Sequence, residues 1–178
     1  MVGTTYNGTS TASASGGGDS NGVGHNEIQW SNGNSLTAIG TRDTQARWNG
    51  NSNYNPSPWS NTVTLSVSKY TPSVILSATN RIYNGSALYA TAMVSYPSGG
   101  KTPNGTIYYG TSSGATTYSI SYSGSSVSLS SVSVTDYNCG SGNSITVYAY
   151  FVPDSTCSGV YNNSGNASKT MTITGKAN

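Results

Sequence analysis

The chain is predicted to be all-β, and three observations predict it. The first is composition: 14 tyrosines stand against one phenylalanine, and Ser, Thr, Gly and Asn fill most of the remainder. Thr, Val, Ile and Tyr suit a pleated, half-buried surface, whereas long helices draw on Leu, Ala, Glu and Lys. The second is alternation. NTVTLSVSK sets Val63, Leu65 and Val67 on one side, TTYSISYS sets Tyr118, Ile120 and Tyr122 together, and SITVYAYF aligns Ile145, Val147, Ala149 and Phe151. A period of two marks a strand with one buried face, and argues against the disorder that a Gly/Ser-rich composition otherwise invites. The third is punctuation, since stretches of Gly, Ser, Asn and Pro separate these runs throughout.

Taken in order, the elements are written twice. Tyr6-Asn7-Gly8 recurs as Tyr83-Asn84-Gly85, each followed by small alternating side chains. The first copy continues through NEIQW, a strand ending in an aromatic, then a Gly/Ser turn and a middle strand. TAIGTRDTQARW is a threonine-bearing strand with an aromatic tail, and a polar loop holding Tyr54 leads to VTLSVSK. The second copy repeats that order with GTIYY, TTYSISYS, SVSLSSVSV, SITVYAYF, a polar loop holding Tyr161, and SKTMTITGK. ARWNGNSNYNPSPWSNTVTLSVSK lies over AYFVPDSTCSGVYNNSGNASKTMTITGK, so Tyr54 corresponds to Tyr161 and Lys69 to Lys176. TPSVILSAT joins the copies: Pro72 stops the preceding strand, and Val74, Leu76 and Ala78 alternate as a first strand of the second. Two domains are therefore expected, over residues 1–69 and 70–178. Each is a small β-sandwich, because a sheet must bury one face and a second sheet covers it. Nothing ahead of the first YNG matches TPSVILSAT, so the first domain is expected to lack its N-terminal strand. That leaves an open edge, which points first to a fragment of a longer repeat array or to a compact variant with fewer strands, and second to a strand supplied by another subunit.

The stretch GNSNYNPSPWSNTVTLSVSK resembles the closing hairpin of bacterial immunoglobulin-like domains, in which a GDSNYN-type loop precedes an alternating strand ending in Lys. SITVYAYFVPDS followed by SGNASKTMTITGK resembles another member of the group. The resemblance covers nearly the whole chain, and its motifs are turn and strand patterns. It implies two tandem immunoglobulin-like sandwiches of the kind found in bacterial surface adhesins and phage structural proteins, where they act as spacers or weak binders. The second copy departs from the pattern by insertions at TDYNCGSGNS and in its last loop.

Little in the sequence points to chemistry. Charged residues make up 7% of the chain and the net charge is +2, with no Lys/Arg cluster for nucleic acid. No apolar run approaches the roughly 20 residues of a membrane helix. MVGTTYNG has neither the charged nor the apolar region of a signal peptide. The five acidic residues, Asp19, Glu27, Asp43, Asp136 and Asp154, are scattered, and the lone His25 sits in GVGHNE. No carboxylate pair, nucleophile with a base, or metal-ligand spacing results, so no enzyme, cofactor or metal is expected. GGGDSNG lacks the lysine of a phosphate loop, and SGGKTPNGT reads as a hairpin turn. Cys139 and Cys157 bracket a strand whose ends lie about 26 Å apart, which favours two free thiols.

The aromatics carry the functional expectation. Tyr148 and Tyr150 alternate with the core set of SITVYAYF, and Tyr108 alternates with Ile107 and Tyr109. Tyr89 is expected on a neighbouring strand. An outward tyrosine stripe can stack on sugar rings or stiffen the sheet by cross-strand pairing. Trp48, Tyr54 and Trp59 surround the last loop of the first copy, as a second sugar platform or as a cover for a thin core. The expected protein is a non-enzymatic, extracellular or virion-surface spacer and weak adhesin for glycans or a host-surface protein. The alternative is a structural subunit of a phage fibre or filament, held by homo-oligomerisation, other virion subunits or strand exchange.

Overall fold

The computed structural model describes residues 4–6, 12–13, 28–50, 55–135 and 143–175. These form strands and turns, with no helix among them. The chain separates into two compact units, Met1–Lys69 and Tyr70–Asn178.

The first unit contains β1 (Thr4–Tyr6), β2 (Ala12–Ser13), β3 (Ile28–Trp30), β4 (Ser35–Leu36), β5 (Gly40–Thr44), β6 (Ala46–Trp48) and β7 (Val63–Lys69). β7 is central, parallel to β1 and antiparallel to β5, while β2 pairs β4 and β3 pairs β6. The alternation in VTLSVSK has the expected consequence: Leu65 and Val67 are buried, with Trp30, Leu36 and Val63 packed against them.

The second unit contains β8 (Ser73–Ser77), β9 (Arg81–Ile82), β10 (Leu88–Ser95), β11 (Asn104–Gly110), β12 (Tyr118–Ser123), β13 (Val127–Val134), β14 (Asn143–Pro153) and β15 (Ala167–Thr174). They form a three-stranded sheet, β13-β10-β8, and a five-stranded sheet, β12-β11-β14-β15-β9. One apolar cluster joins the two. Val74, Ala92, Val94, Leu129 and Val134 come from the smaller sheet, and Ile107, Tyr109, Val147, Phe151, Met171 and Ile173 from the larger. The unit is thus a two-layer sandwich closed by the period-2 pattern of its strands. One buried bond crosses the layers: the Val94 amide donates to the Tyr122 hydroxyl at 3.0 Å. The apolar body of Tyr122 fills the core while its polar end satisfies a backbone donor.

Each unit, by itself, has the same ladder pattern. Gly40, Thr41, Arg42, Asp43 and Thr44 pair Val67, Ser66, Leu65, Thr64 and Val63. Asn143, Ser144, Ile145, Thr146 and Val147 pair Ile173, Thr172, Met171, Thr170 and Lys169 in the same sense. Beyond this, Ile28–Trp48 and Trp30–Ala46 reappear as Ile107–Phe151 and Tyr109–Ala149. The strand just before each YNG runs parallel to the last strand of its unit, Tyr6 opposite Lys69, and Arg81 and Ile82 opposite Ile173 and Thr174.

This register corrects one equivalence by a single residue. Leu65 and Val67 match the inward Met171 and Ile173, so the counterpart of Lys69 is Gly175 and not Lys176. A one-residue slip would turn every inward side chain of β15 outward. The stretch SGGKTPNGT is also corrected. It leads from β10 in one sheet to β11 in the other, so it is a crossover and not a hairpin, with Gly99 in a left-handed turn (φ 75°).

The common ladder pattern also shows where the units differ. Positions filled by Ile145 and Val147 in the second unit hold Arg42 and Thr44 in the first. Thr44 is buried and donates to the Gly33 carbonyl at 2.7 Å. The Arg42 Nε is buried without a hydrogen-bond partner.

Candidate functional site: a tyrosine face on the larger sheet

β11 alternates over Ile107–Tyr109 and β14 over Val147–Phe151, so Ile107, Tyr109, Val147, Ala149 and Phe151 go inward and the residues between them go outward. Tyr108 and Tyr150 are direct cross-strand partners, and their half-buried rings stack at 5.5 Å with an interplanar angle of 22°. Such a pair contributes about 0.5–1.5 kcal/mol beyond burial. Tyr148 lies two residues along β14 on the same side. Its cross-strand partners are Gly110 and Ser168, neither of which offers a ring.

Hydroxyl-bearing residues surround the stack. β15 turns Ser168, Thr170, Thr172 and Thr174 to this face, and β14 adds Ser144 and Thr146. Thr146 bonds Thr170 and Ser144 bonds Thr172, each at 2.8 Å. β12 contributes the exposed Ser119, Ser121 and Ser123. Rings set among uncharged donors and acceptors can take the apolar face and the hydroxyl rim of a pyranose.

Tyr89 does not join this group. β10 belongs to the other sheet, where Tyr89 is 42% exposed opposite Ser133. β10 and β11 are consecutive in sequence but are joined by the crossover, so they lie in different sheets.

In the first unit, the ladder position of Tyr108–Tyr150 is held by Gln29–Arg47. The Arg47 Nε donates to Gln29 Oε1 at 2.8 Å, and the guanidinium lies 4.5 Å from the centroid of the 38%-exposed Trp59 ring. Trp48 occupies the position of Phe151 and is half-buried, so Trp48 and Trp59 belong to different sides of the ladder. Tyr54 lies outside the described residues. Gln29 and Arg47 stand at this position although neither is aromatic. Their sequence signal is the alignment of IQW over IYY and ARW over AYF, which places both at the outward middle position.

Other candidates settle into structural roles. Asp43 Oδ1 accepts from Thr64 at 2.6 Å. Asp154 caps the turn after β14, its Oδ1 accepting from the Thr156 hydroxyl at 2.6 Å and from the amides of Thr156 and Cys157 at 2.9 and 3.1 Å. The Lys101 ammonium donates to the Thr156 carbonyl. The Thr156 hydroxyl bond chiefly holds the Asp154 carboxyl below its ordinary range, against an opposing desolvation, and the two amides and the Lys101 charge add smaller pulls in the same downward direction. A carboxylate with a depressed folded pKa stabilises above the unfolded value and loses that contribution as pH falls through the folded one. The turn is therefore expected to hold at neutral pH and to loosen only below about pH 4, read as faster amide exchange at Thr156 and Cys157.

Cys157 is a free thiol and fully buried, and its sulfur accepts from the Asn104 amide at 3.3 Å. Cys139, Asp19, His25, Glu27 and Asp136 lie outside the described residues. Among the described residues no cluster of His, Cys, Asp and Glu could hold a metal ion, and no helix is long and apolar enough to cross a membrane. A shallow polar depression of about 140 Å³ is lined by Ser31, Asn32, Asp43, Thr44, Gln45 and Thr62. It is smaller than the roughly 300 Å³ at which small-molecule pockets begin.

No protein-family model, curated protein or solved structure matches the chain.

Proposed function

We propose that the chain is a tandem of immunoglobulin-like sandwiches acting outside the cell or on a virion as a non-enzymatic spacer. In this reading its second unit is a weak glycan adhesin. Support for the fold comes from strand order. Lettered in sequence as A, A′, B, C, C′, E, F and G, strands β8 to β15 give A-B-E facing A′-G-F-C-C′, the two-sheet logic of an immunoglobulin-type sandwich. The first unit follows the same plan with A′-G-F, C on F and B on E.

The single observation that carries the adhesive reading is the outward Tyr108–Tyr150 stack in a field of Ser and Thr hydroxyls. Charged residues are sparse there, which suits neutral sugars. Each contact is weak, and repetition of such units raises avidity by about 10²–10⁴. The test is a glycan array followed by titration of the best sugar against the full chain and a Tyr108→Thr/Tyr150→Thr variant. Threonine keeps the strand propensity. The expected result is saturable binding that falls at least about tenfold in the variant, which stays folded with a Tm lower by roughly 5–10 °C for the lost stack. Silence of the unsubstituted chain across neutral glycans reduces the protein to a plain spacer.

A further inference from the structure

We infer that the chain associates with a second copy of itself by pairing the free edges of two β8 strands, extending the three-stranded sheet to six. β8 has β10 on one side and, among the described residues, no strand on the other. Its outward residues Ser73, Ile75 and Ser77 are exposed. Natural sheets blunt such edges with charges, proline, bulges or shortness. The other three outer edges of this sandwich are protected or hydrophilic. β13 carries a register shift against β10, β9 is two residues long, and β12 shows only serines on its outer face. β8 pairs β10 over five residues without a shift, and β8, β10 and β13 contain no charged residue.

Apolar surface gathers on the same face. Of the seven large hydrophobic side chains exposed among the described residues, three lie here: Ile75 (46%), Met93 (45%) and Tyr89 (42%). Ile75 and Met93 are direct cross-strand partners.

The occupant is chosen by self-complementarity. Ser73-Val74-Ile75-Leu76-Ser77 reads nearly the same in both directions. An antiparallel two-fold centred on Ile75 sets serine opposite serine and Val74 opposite Leu76 on the core side. Outside, Ile75 meets its copy, forming a continuous row of Met93, Ile75, Ile75 and Met93. No like charges are brought together, whereas a charged partner would find nothing to answer it on this face. The arrangement is isologous and closes at two. It uses the smaller sheet, so it stands or falls apart from the tyrosine face on the larger one.

The test uses the full chain. Sedimentation from about 10 μM to 1 mM is expected to show the mass rising to twice that of the monomer and stopping, because a five-residue edge gives a weak interface. Ile75→Lys is expected to remain monomeric throughout, with Ser121→Lys on β12 behaving as the unsubstituted chain. Geometry is read by mild oxidation in a Cys139→Ser background. Ile75→Cys is expected to form a disulfide-linked dimer, since paired Cα atoms lie about 4.5–5.5 Å apart. Ser73→Cys alone is expected not to link, its symmetry mate being four residues, about 13 Å, away. Mixing Ser73→Cys with Ser77→Cys is expected to link. A monomer at the highest concentration, growth beyond two copies, a dimer that survives Ile75→Lys, or equal linking of the Ser73 and Ile75 variants would each overturn the pairing.

Discussion

Gly105→Ala is expected to open the second unit. Gly105 stands in β11 between Tyr122 of β12 and Pro153 of β14. A Cβ built there would lie 2.1 Å from the Val152 carbonyl oxygen, 2.8 Å from the Pro153 Cα and 2.9 Å from the Phe151 ring. Two of these are backbone atoms held by the ladder, so no rotamer change relieves the clash. Strand β11 must leave one partner or the other, and with it goes the layer that carries Ile107 and Tyr109. The cost is on the order of 4 kcal/mol or more, a large part of the stability of a domain this size. Thermal unfolding should fall by roughly 15–30 °C. Gly85→Ala is the control. Its added Cβ meets nothing within 4 Å, and only the positive φ of 87° opposes it. That costs about 1–2 kcal/mol. Similar Tm losses for the two variants would show that the close approach at Gly105 is unimportant.

Ser164→Ala is the second large effect, and it has a built-in comparison. The buried Ser164 accepts from the Phe151 amide at 2.7 Å, returns its own amide to the Phe151 carbonyl at 2.9 Å, and donates its hydroxyl to the Gly165 carbonyl. In the first unit Ser57 does the same for Trp48, at 3.0 and 3.1 Å, with its hydroxyl on the Pro58 carbonyl. Ser31 and Ser60 clasp Gln45 and Ala46 in the same way. The hydroxyl supplies an acceptor to a ladder amide where no regular strand residue does so. Removing it at Ser164 strands a buried amide beside the core, at about 2–3 kcal/mol. At Ser57, which is only half-buried, water can take over, and about 0.5–1 kcal/mol is expected. Calorimetry of both variants should show a Tm loss of roughly 8–20 °C for Ser164→Ala and a smaller one of roughly 2–8 °C for Ser57→Ala.

Strand faces were legible because the period of two is a local property. Val63, Leu65 and Val67, or Val147, Ala149 and Phe151, need only their own sequence to be sorted. The duplication was legible for the same reason, since Ile-x-aromatic and Ala-x-aromatic recur at matching places. Partner choice was not. Tyr89 and Tyr108 belong to different sheets because PSGGKTP crosses between layers, and no local pattern distinguishes a crossover from a hairpin. Asn104-Gly105 looks like turn chemistry, yet the glycine is there for the passing Val152 carbonyl, a long-range contact. The serine clasps were invisible in a chain where serine is everywhere. They give part of that composition a structural reason. At the candidate site, the tyrosines are legible by alternation, whereas the contact of Arg47 with Gln29 and Trp59 depends on cross-strand pairing that no local pattern gives.

One ladder register serves both units. Cross-strand nuclear Overhauser contacts on the full chain in solution test it most directly. A shared register predicts Ile28 opposite Trp48 and Arg42 opposite Leu65 in the first unit, matched by Ile107 opposite Phe151 and Ile145 opposite Met171 in the second. Contacts displaced by one residue in either unit, or a first unit without the β5–β7 pairing, would contradict it.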